Sequence, residues 1–156
     1  MPDQANDDPL LSLAAQLCFA LYSTSRSMTA AYRPHLDAMT ITYPQYLALL
    51  ALWERPGMTM KELGAQLRLD YGTVSPLIQR LTDRGLVESV RNPKDRRAVQ
   101  LRATPAGLAL QERAKEMIDV VLADIAWPVE DLVRLRDQVI ALGEQLDTVV
   151  ARRSEP

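Results

Sequence analysis

Residues Thr59 to Thr104 read TMKELGAQLRLDYGTVSPLIQRLTDRGLVESVRNPKDRRAVQLRAT, and the succession of hydrophobic periods in this stretch decides the fold. Thr59 with Glu62 makes a capping box ahead of Leu63 and Leu67, which predicts a short helix. A turn over Arg68 to Asp70 follows. Val74, Leu77, Ile78 and Leu81 then recur at i, i+3, i+4 and i+7, the stripe of a second helix closed by Gly85 at its C-terminal cap. Two starts are open for that helix: Asp70 as N-cap, or Ser75 before Pro76 as N-cap and first helical residue. From Leu86 the pattern becomes that of strands, Leu86 to Arg91 and Ala98 to Arg102, with Val99 and Leu101 expected inward and Gln100 and Arg102 outward. Two helices joined by a tight turn and followed by a hairpin with a basic tip make a winged helix-turn-helix.

Outward from this stretch the pattern is helical. Leu10, Ala14, Leu17, Leu21, Met28 and Tyr32 recur at steps of three, four and seven, predicting a helix at about 9–33 that Pro34 ends. Thr42, Pro44 and Gln45 open another, with Tyr46, Leu49, Leu50 and Trp53 as its buried stripe and Pro56 and Gly57 beyond it. After the hairpin, Thr104 and Pro105 start a long helix to about Ile125. A last helix, from about Val129 to Val150, carries Leu132, Leu135, Val139, Leu142, Leu146 and Val149. The expectation is a single, mainly α domain over 1–156 with the winged helix-turn-helix at about 42–103.

Composition narrows the function classes. The 156 residues are 47% hydrophobic and 24% charged, ordinary for a globular chain. One cysteine, Cys18, and one histidine, His35, exclude internal disulfides and His/Cys zinc cages, so no metal or cofactor is expected. The longest charge-free stretches, Pro9 to Ser25 and Ala38 to Trp53, are 17 and 16 residues and interrupted by polar groups or Pro44, too short and broken for a membrane span. Asp3, Asp7 and Asp8 oppose a signal peptide, and a cytoplasmic location is expected. The net charge of −2 hides an asymmetry. Arg80 to Arg102 contains seven basic residues (Arg80, Arg84, Arg91, Lys94, Arg96, Arg97, Arg102) and three acidic (Asp83, Glu88, Asp95), leaving eleven basic and seventeen acidic elsewhere. A segment of net +4 in a remainder of −6 is a footprint for phosphate, although a solvated charge run has the same composition. Gly72, Pro76, Gln79 and Asp83, flanked by Thr73, Ser75 and Arg80, form the outward face of the second helix, with small hydrogen-bonding groups near the end that meets base edges in a major groove. Arg96 and Arg97 at the hairpin tip have the reach to enter a minor groove.

The hairpin sequence Asn92-Pro93-Lys94-Asp95-Arg96-Arg97, with Leu101 and Thr104 after it, resembles the wing of MarR-type transcriptional regulators. Leu17-Cys18-Phe19-Ala20-Leu21-Tyr22, Tyr32-Arg33-Pro34, Thr42-Tyr43-Pro44-Gln45-Tyr46 and Leu69-Asp70-Tyr71-Gly72-Thr73-Val74-Ser75-Pro76 are together similar to the organic-hydroperoxide-resistance (OhrR) type of that family, in its one-cysteine class. The resemblance covers about residues 10–125. It implies a homodimeric repressor, with dimerisation helices at about 9–33 and 104–152, that holds a pseudo-palindromic double-stranded DNA operator until an organic hydroperoxide oxidises its cysteine. It also implies that Asp70, Tyr71, Thr73, Ser75, Pro76, Gln79, Arg80, Arg91, Lys94, Asp95, Arg96 and Arg97 lie on the DNA side. Tyr71 departs from the small residue, such as serine, expected there, which bears on base preference.

A lone cysteine on an apolar helical stripe is most often an inert buried thiol. At 100° per residue, Tyr22 lies about 40° to one side of Cys18 and Tyr32 about 40° to the other, but Tyr32 is roughly 21 Å along the axis. Only a second copy crossing antiparallel near Ser25 would bring Tyr32 beside Cys18. The resemblance implies that arrangement, with Cys18, Tyr22 and Tyr32 as the redox sensor. No basic residue flanks Cys18 in sequence, and no resolving cysteine exists, so a sulfenic acid formed there would pass to a small thiol, a backbone nitrogen or further oxidation. Two other readings stay open: a repressor released by a phenolic or other small ligand, and a thiol peroxidase. The second lacks a histidine base or an arginine partner near the thiol, so no enzyme is expected.

Overall fold

The computed structural model describes residues 8–91 and 99–153. The described residues group into two compact units, one up to Met117 and one from Ile118 onward. The described residues are mainly helical with one antiparallel two-stranded hairpin, the winged helix-turn-helix expected from the sequence.

Helix α1 spans Leu17–Ala38. Its expected start near residue 9 is displaced because the chain first makes two short 3-10 turns, Pro9–Leu11 and Leu13–Ala15. Ser12 caps the second, and the Gln16 side chain reaches back to the Leu10 carbonyl at 2.5 Å, holding Gln16 in an extended conformation that interrupts the helix. At the other end α1 runs through Pro34 rather than stopping there. An internal proline costs about 3 kcal/mol, and long-range contacts offset it. Leu36, Met39 and Ile41 are buried. Thr40 turns left-handed at φ 59°, so the Ile41 amide bonds the Leu36 carbonyl (3.0 Å) and the Thr40 amide bonds that of Asp37 (2.9 Å), the doubly bonded closure of a Schellman turn. The carbonyls left over are taken by two arginines: Arg113 donates to Ala38 (2.9 Å), and Arg84 donates to Thr40 and to Met39 (3.4 Å).

Helix α2, Tyr43–Glu54, starts at the predicted capping box, with the Thr42 amide on Gln45 Oε1 at 2.9 Å. Its burial is wider than one stripe. Gln45, Tyr46, Ala48, Leu49, Ala51 and Leu52 are all buried, whereas Leu50 and Trp53 are half-buried, because α2 packs against α1, α3, α4 and strand β2 together. Helix α3, Met60–Leu67, opens on the Thr59–Glu62 box. Glu62 bonds the Thr59 amide (2.7 Å) and hydroxyl (2.9 Å), and these contacts hold its carboxyl below the usual carboxylate range. Helix α4, Tyr71–Asp83, settles the open start in favour of Asp70, whose carboxylate accepts from the Thr73 amide (2.9 Å) and hydroxyl (2.8 Å). A start at Pro76 would leave Val74, fully buried, outside the helix that positions it.

Strands β1 (Val87–Arg91) and β2 (Val99–Ala103) pair antiparallel, Val87 facing Ala103. Leu101 is buried as expected, but Val99 is 48% exposed. The reason is that β2 enters the core only where it meets a second partner: the Leu101 amide bonds the Met58 carbonyl (2.7 Å) and the Gly57 amide bonds the Leu101 carbonyl (2.9 Å). Val99 lies two residues further toward the tip. The helix expected from Thr104 is split into α5 (Pro105–Leu108) and α6 (Leu110–Ile125). Gly107 lies in α5, ahead of the break. It sits so close to the Leu86 carbonyl that a Cβ would collide with it, and its own carbonyl accepts from Trp53 Nε1 at 3.2 Å. In the unit from Ile118 onward, α7 spans Val129–Arg153 and buries no residue; Leu135, Val139, Leu146 and Val149 stand at least one-third exposed.

Candidate nucleic-acid interface and thiol site

The outer face of α4 begins with Tyr71, the first residue of the helix and 70% exposed. Pro76, Gln79 and Arg80 are exposed and Ser75 is half-buried. Asp70 and Thr73 are bonded to each other in the cap, and those bonds, the Thr73 hydroxyl's first, lower the Asp70 pKa. Gln79 donates to Asp83 at 2.7 Å, one turn on. Arg91 is exposed at the end of β1. Lys94, Asp95, Arg96 and Arg97 lie outside the described residues.

The structure redistributes the basic segment read from sequence. Arg84, one of its seven cations, turns away from that face to the carbonyls ending α1. Nothing local in the sequence signals this, since the acceptors are 44 and 45 residues away.

Cys18 is the second residue of α1 and exposed. The later helix start therefore places it in a first turn, whose unpaired amides carry the positive end of the helix dipole. Leu17 (57%), Phe19 (40%) and Tyr22 (59%) beside it are also exposed. Tyr22 is engaged by Arg26, whose guanidinium donates to the Tyr22 hydroxyl (3.3 Å) and lies 5.6 Å from the ring centre. These two side chains, with Phe19, Ser23, Ser27 and Ala30, line an open recess of about 420 Å³.

Tyr32 is not beside Cys18 of its own chain, as the helical geometry requires. It joins a cluster that sequence reading missed, with ring centres 5.8 Å from Tyr43 and 6.2 Å from Tyr46. Burial, and then Tyr43, raise the Tyr32 pKa. Tyr46 is more deeply buried, and its pKa is pushed up to about 12 by burial first and by the two neighbouring phenols second. The signal in sequence was the spacing of Tyr43 and Tyr46, which puts both on one side of α2. A cleft of about 270 Å³ between α1 and α2, lined by Thr29, Arg33, Asp37, Ile41 and Tyr43 among others, adjoins the cluster.

Among the described residues, no group of three His, Cys, Asp or Glu side chains is placed to hold a metal ion, and no helix is long and apolar enough to cross a membrane.

The sequence profile of the MarR family matches residues 41–99. The chain is 43% identical over 136 residues to an organic hydroperoxide resistance transcriptional regulator of Bacillus subtilis, covering 87% of this chain and 92% of that protein. Its fold is similar to that of AbfR of Staphylococcus epidermidis. Reduced AbfR bound to DNA superposes with a TM-score of 0.71 at 32% identity, covering 86% of this chain and 94% of that one. Disulfide-formed AbfR does so with a TM-score of 0.59 at 33% identity, covering 92% and 93%.

Proposed function

Because this chain belongs to the MarR family and is a transcriptional regulator rather than an enzyme, we propose that it is a homodimeric repressor whose Cys18 senses organic hydroperoxides. The observation that carries this reading is the placement of the sole cysteine, exposed in the first turn of α1 among exposed apolar side chains. The name of the Bacillus subtilis relative supports the effector class, and the DNA-bound AbfR supports double-stranded DNA as partner.

The Cys18 thiolate attacks the hydroxyl oxygen of the hydroperoxide. The O–O bond breaks, the alkoxide leaves and takes up a proton to become an alcohol, and the sulfur, having lost two electrons, becomes a sulfenic acid. A small thiol then condenses with it, releasing water and leaving a mixed disulfide. Apolar neighbours Leu17 and Phe19 favour an organic over an inorganic peroxide. Tyr22, one turn from Cys18, and Tyr32 of the opposite copy are the hydroxyl donors of the proposed sensor. Tyr43, against Tyr32, belongs with them on geometry.

Exposed apolar side chains on the start of α1 and along α7 support these helices as the dimer contact. The winged helix-turn-helix at about 42–103 reads the operator. Tyr71, Ser75, Pro76, Gln79 and Arg80 on α4 face the major groove with the capped pair Asp70 and Thr73, while Arg91, Lys94, Arg96 and Arg97 bring positive charge to the backbone and minor groove, with Asp95 beside them in the wing sequence.

The test is fluorescence anisotropy on a DNA duplex selected by the reduced protein, with and without cumene hydroperoxide and free cysteine. Wild type is expected to release the duplex and Cys18→Ser to keep it. Equal responses of the two would sink the sensing claim, and release of the Cys18→Ser protein by a phenolic ligand would favour a ligand-operated repressor instead.

A further inference from the structure

Resting on that reading, we infer that Arg84 is the positioning residue that ties the recognition helix α4 to the helix bearing the sensor cysteine. Arg84 is the C-terminal cap of α4, and its guanidinium fork bonds the Thr40 and Met39 carbonyls just past the end of α1. Between Cys18 and that end α1 runs about 30 Å at 1.5 Å per residue, and the backbone stays helical through Pro34, which withholds one amide from the ladder. The contacts that sustain the helix past Pro34, those of Arg84 among them, pass a displacement at Cys18 on to residues 38–40.

Two features make this junction more than an ordinary helix end. First, the turn is strained. Thr40 is β-branched and holds φ 59°, a conformation that glycine adopts without penalty, and it is this turn that presents its carbonyl to Arg84. Second, the end of α1 is held from two sides. Arg113, on α6, bonds the Ala38 carbonyl at 2.9 Å and completes the capping from a different helix. Both arginines place positive charge at the negative end of the α1 dipole. Only Arg84 carries that contact into the recognition helix, so the pair contains its own control.

The experiment compares wild type, Arg84→Gln, Arg84→Lys and Arg113→Gln as full-length proteins. Each binds a fluorescent duplex that the reduced wild type has selected from a pool with a randomised core. Affinity is measured before and after alkylation of Cys18 by N-ethylmaleimide, and before and after cumene hydroperoxide with cysteine. In wild type, modification is expected to weaken binding about tenfold, within the usual range of coupling between sites. Arg84→Gln is expected to bind within a few-fold of wild type when unmodified and to lose most of the tenfold response, Arg84→Lys to keep part of it, and Arg113→Gln to keep all of it. If Arg84→Gln is too unstable to assay, Arg84→Lys carries the comparison. The inference is overturned if the Arg84 variants respond as wild type does, if Arg113→Gln loses the response equally, or if alkylation leaves wild-type affinity unchanged. Release on alkylation but not by hydroperoxide, with the same dependence on Arg84, supports the link while removing the peroxide reading.

Discussion

Replacing Thr40 with glycine is expected to stabilise the protein, against the usual cost of introducing that residue. Thr40 sits left-handed at φ 59° with its side chain exposed. A left-handed conformation costs an L-residue roughly 1–2 kcal/mol, and the β-branch at Thr40 adds crowding. Glycine removes that strain but gains freedom in the unfolded chain, a penalty of about 0.4–1 kcal/mol. The net is a gain of about 0.5–1 kcal/mol, which for a chain of this length is roughly 1–4 °C in Tm. Thr40→Asn, which tolerates the conformation better than threonine, is expected to lie between. Thr42, two residues on, supplies an internal contrast: it is extended at φ −88° and accepts the Gln45 amide as N-cap of α2. Thr42→Ala is expected to cost about 1 kcal/mol. Thermal and urea unfolding followed by circular dichroism reads all three. A lower Tm for Thr40→Gly at an unchanged urea slope would refute the assignment of strain to this turn.

Three further outcomes are expected. The Asp70 carboxyl has its pKa lowered by the Thr73 hydroxyl and amide, so its capping contribution is present above the unfolded value near ~4 and is lost as pH falls through the lower native value. Urea melts between pH 6 and 2 should therefore show Asp70→Asn losing less stability on acidification than wild type; parallel curves would contradict this. For Tyr46 the sign reverses: with a native pKa of about 12, its contribution is intact below the unfolded value near ~10 and fades as pH climbs through about 12. Tyr46→Phe should flatten that alkaline loss, and phenolate absorbance during a pH titration gives an independent check. Finally, Arg80→Ala, which removes an exposed cation from α4, should lower the salt slope of DNA binding by about two for the dimer, one for each protomer. An unchanged slope would take Arg80 off the phosphate contacts.

Local chemistry made much of this fold legible. Both capping boxes are used as written, because Thr42 with Gln45 and Thr59 with Glu62 are satisfied within four residues whatever surrounds them. The α4 stripe and the hairpin follow from periods that need one buried face. The departures arise where distant groups intervene. Pro34 ends a helix unless something further along sustains it, and the residues that do so, Arg84 and Arg113, follow it by 50 and 79 positions. The seat of Gly107 against Leu86 and Trp53 is likewise set by residues far from it in sequence. At the candidate site, Cys18, Tyr22 and Tyr32 could be placed on one helix face from spacing alone. The tyrosine cluster could not, because it forms between α1 and α2. The grip of Arg26 on Tyr22, by contrast, lay within reach of spacing, since the two are four residues apart inside the expected helix.

The position of Leu101 carries a consequence for how this protomer can meet a duplex. Its amide and carbonyl bond the Met58 carbonyl and the Gly57 amide, at the turn between α2 and α3, while the same strand pairs with β1. To tilt the hairpin relative to the helices, those bonds would have to break and a fully buried leucine would have to leave the core. The helices and the base of the hairpin are thus soldered into one tool of set gauge. On the proposed reading, an operator whose two grooves fit that gauge poorly has to bend to meet it.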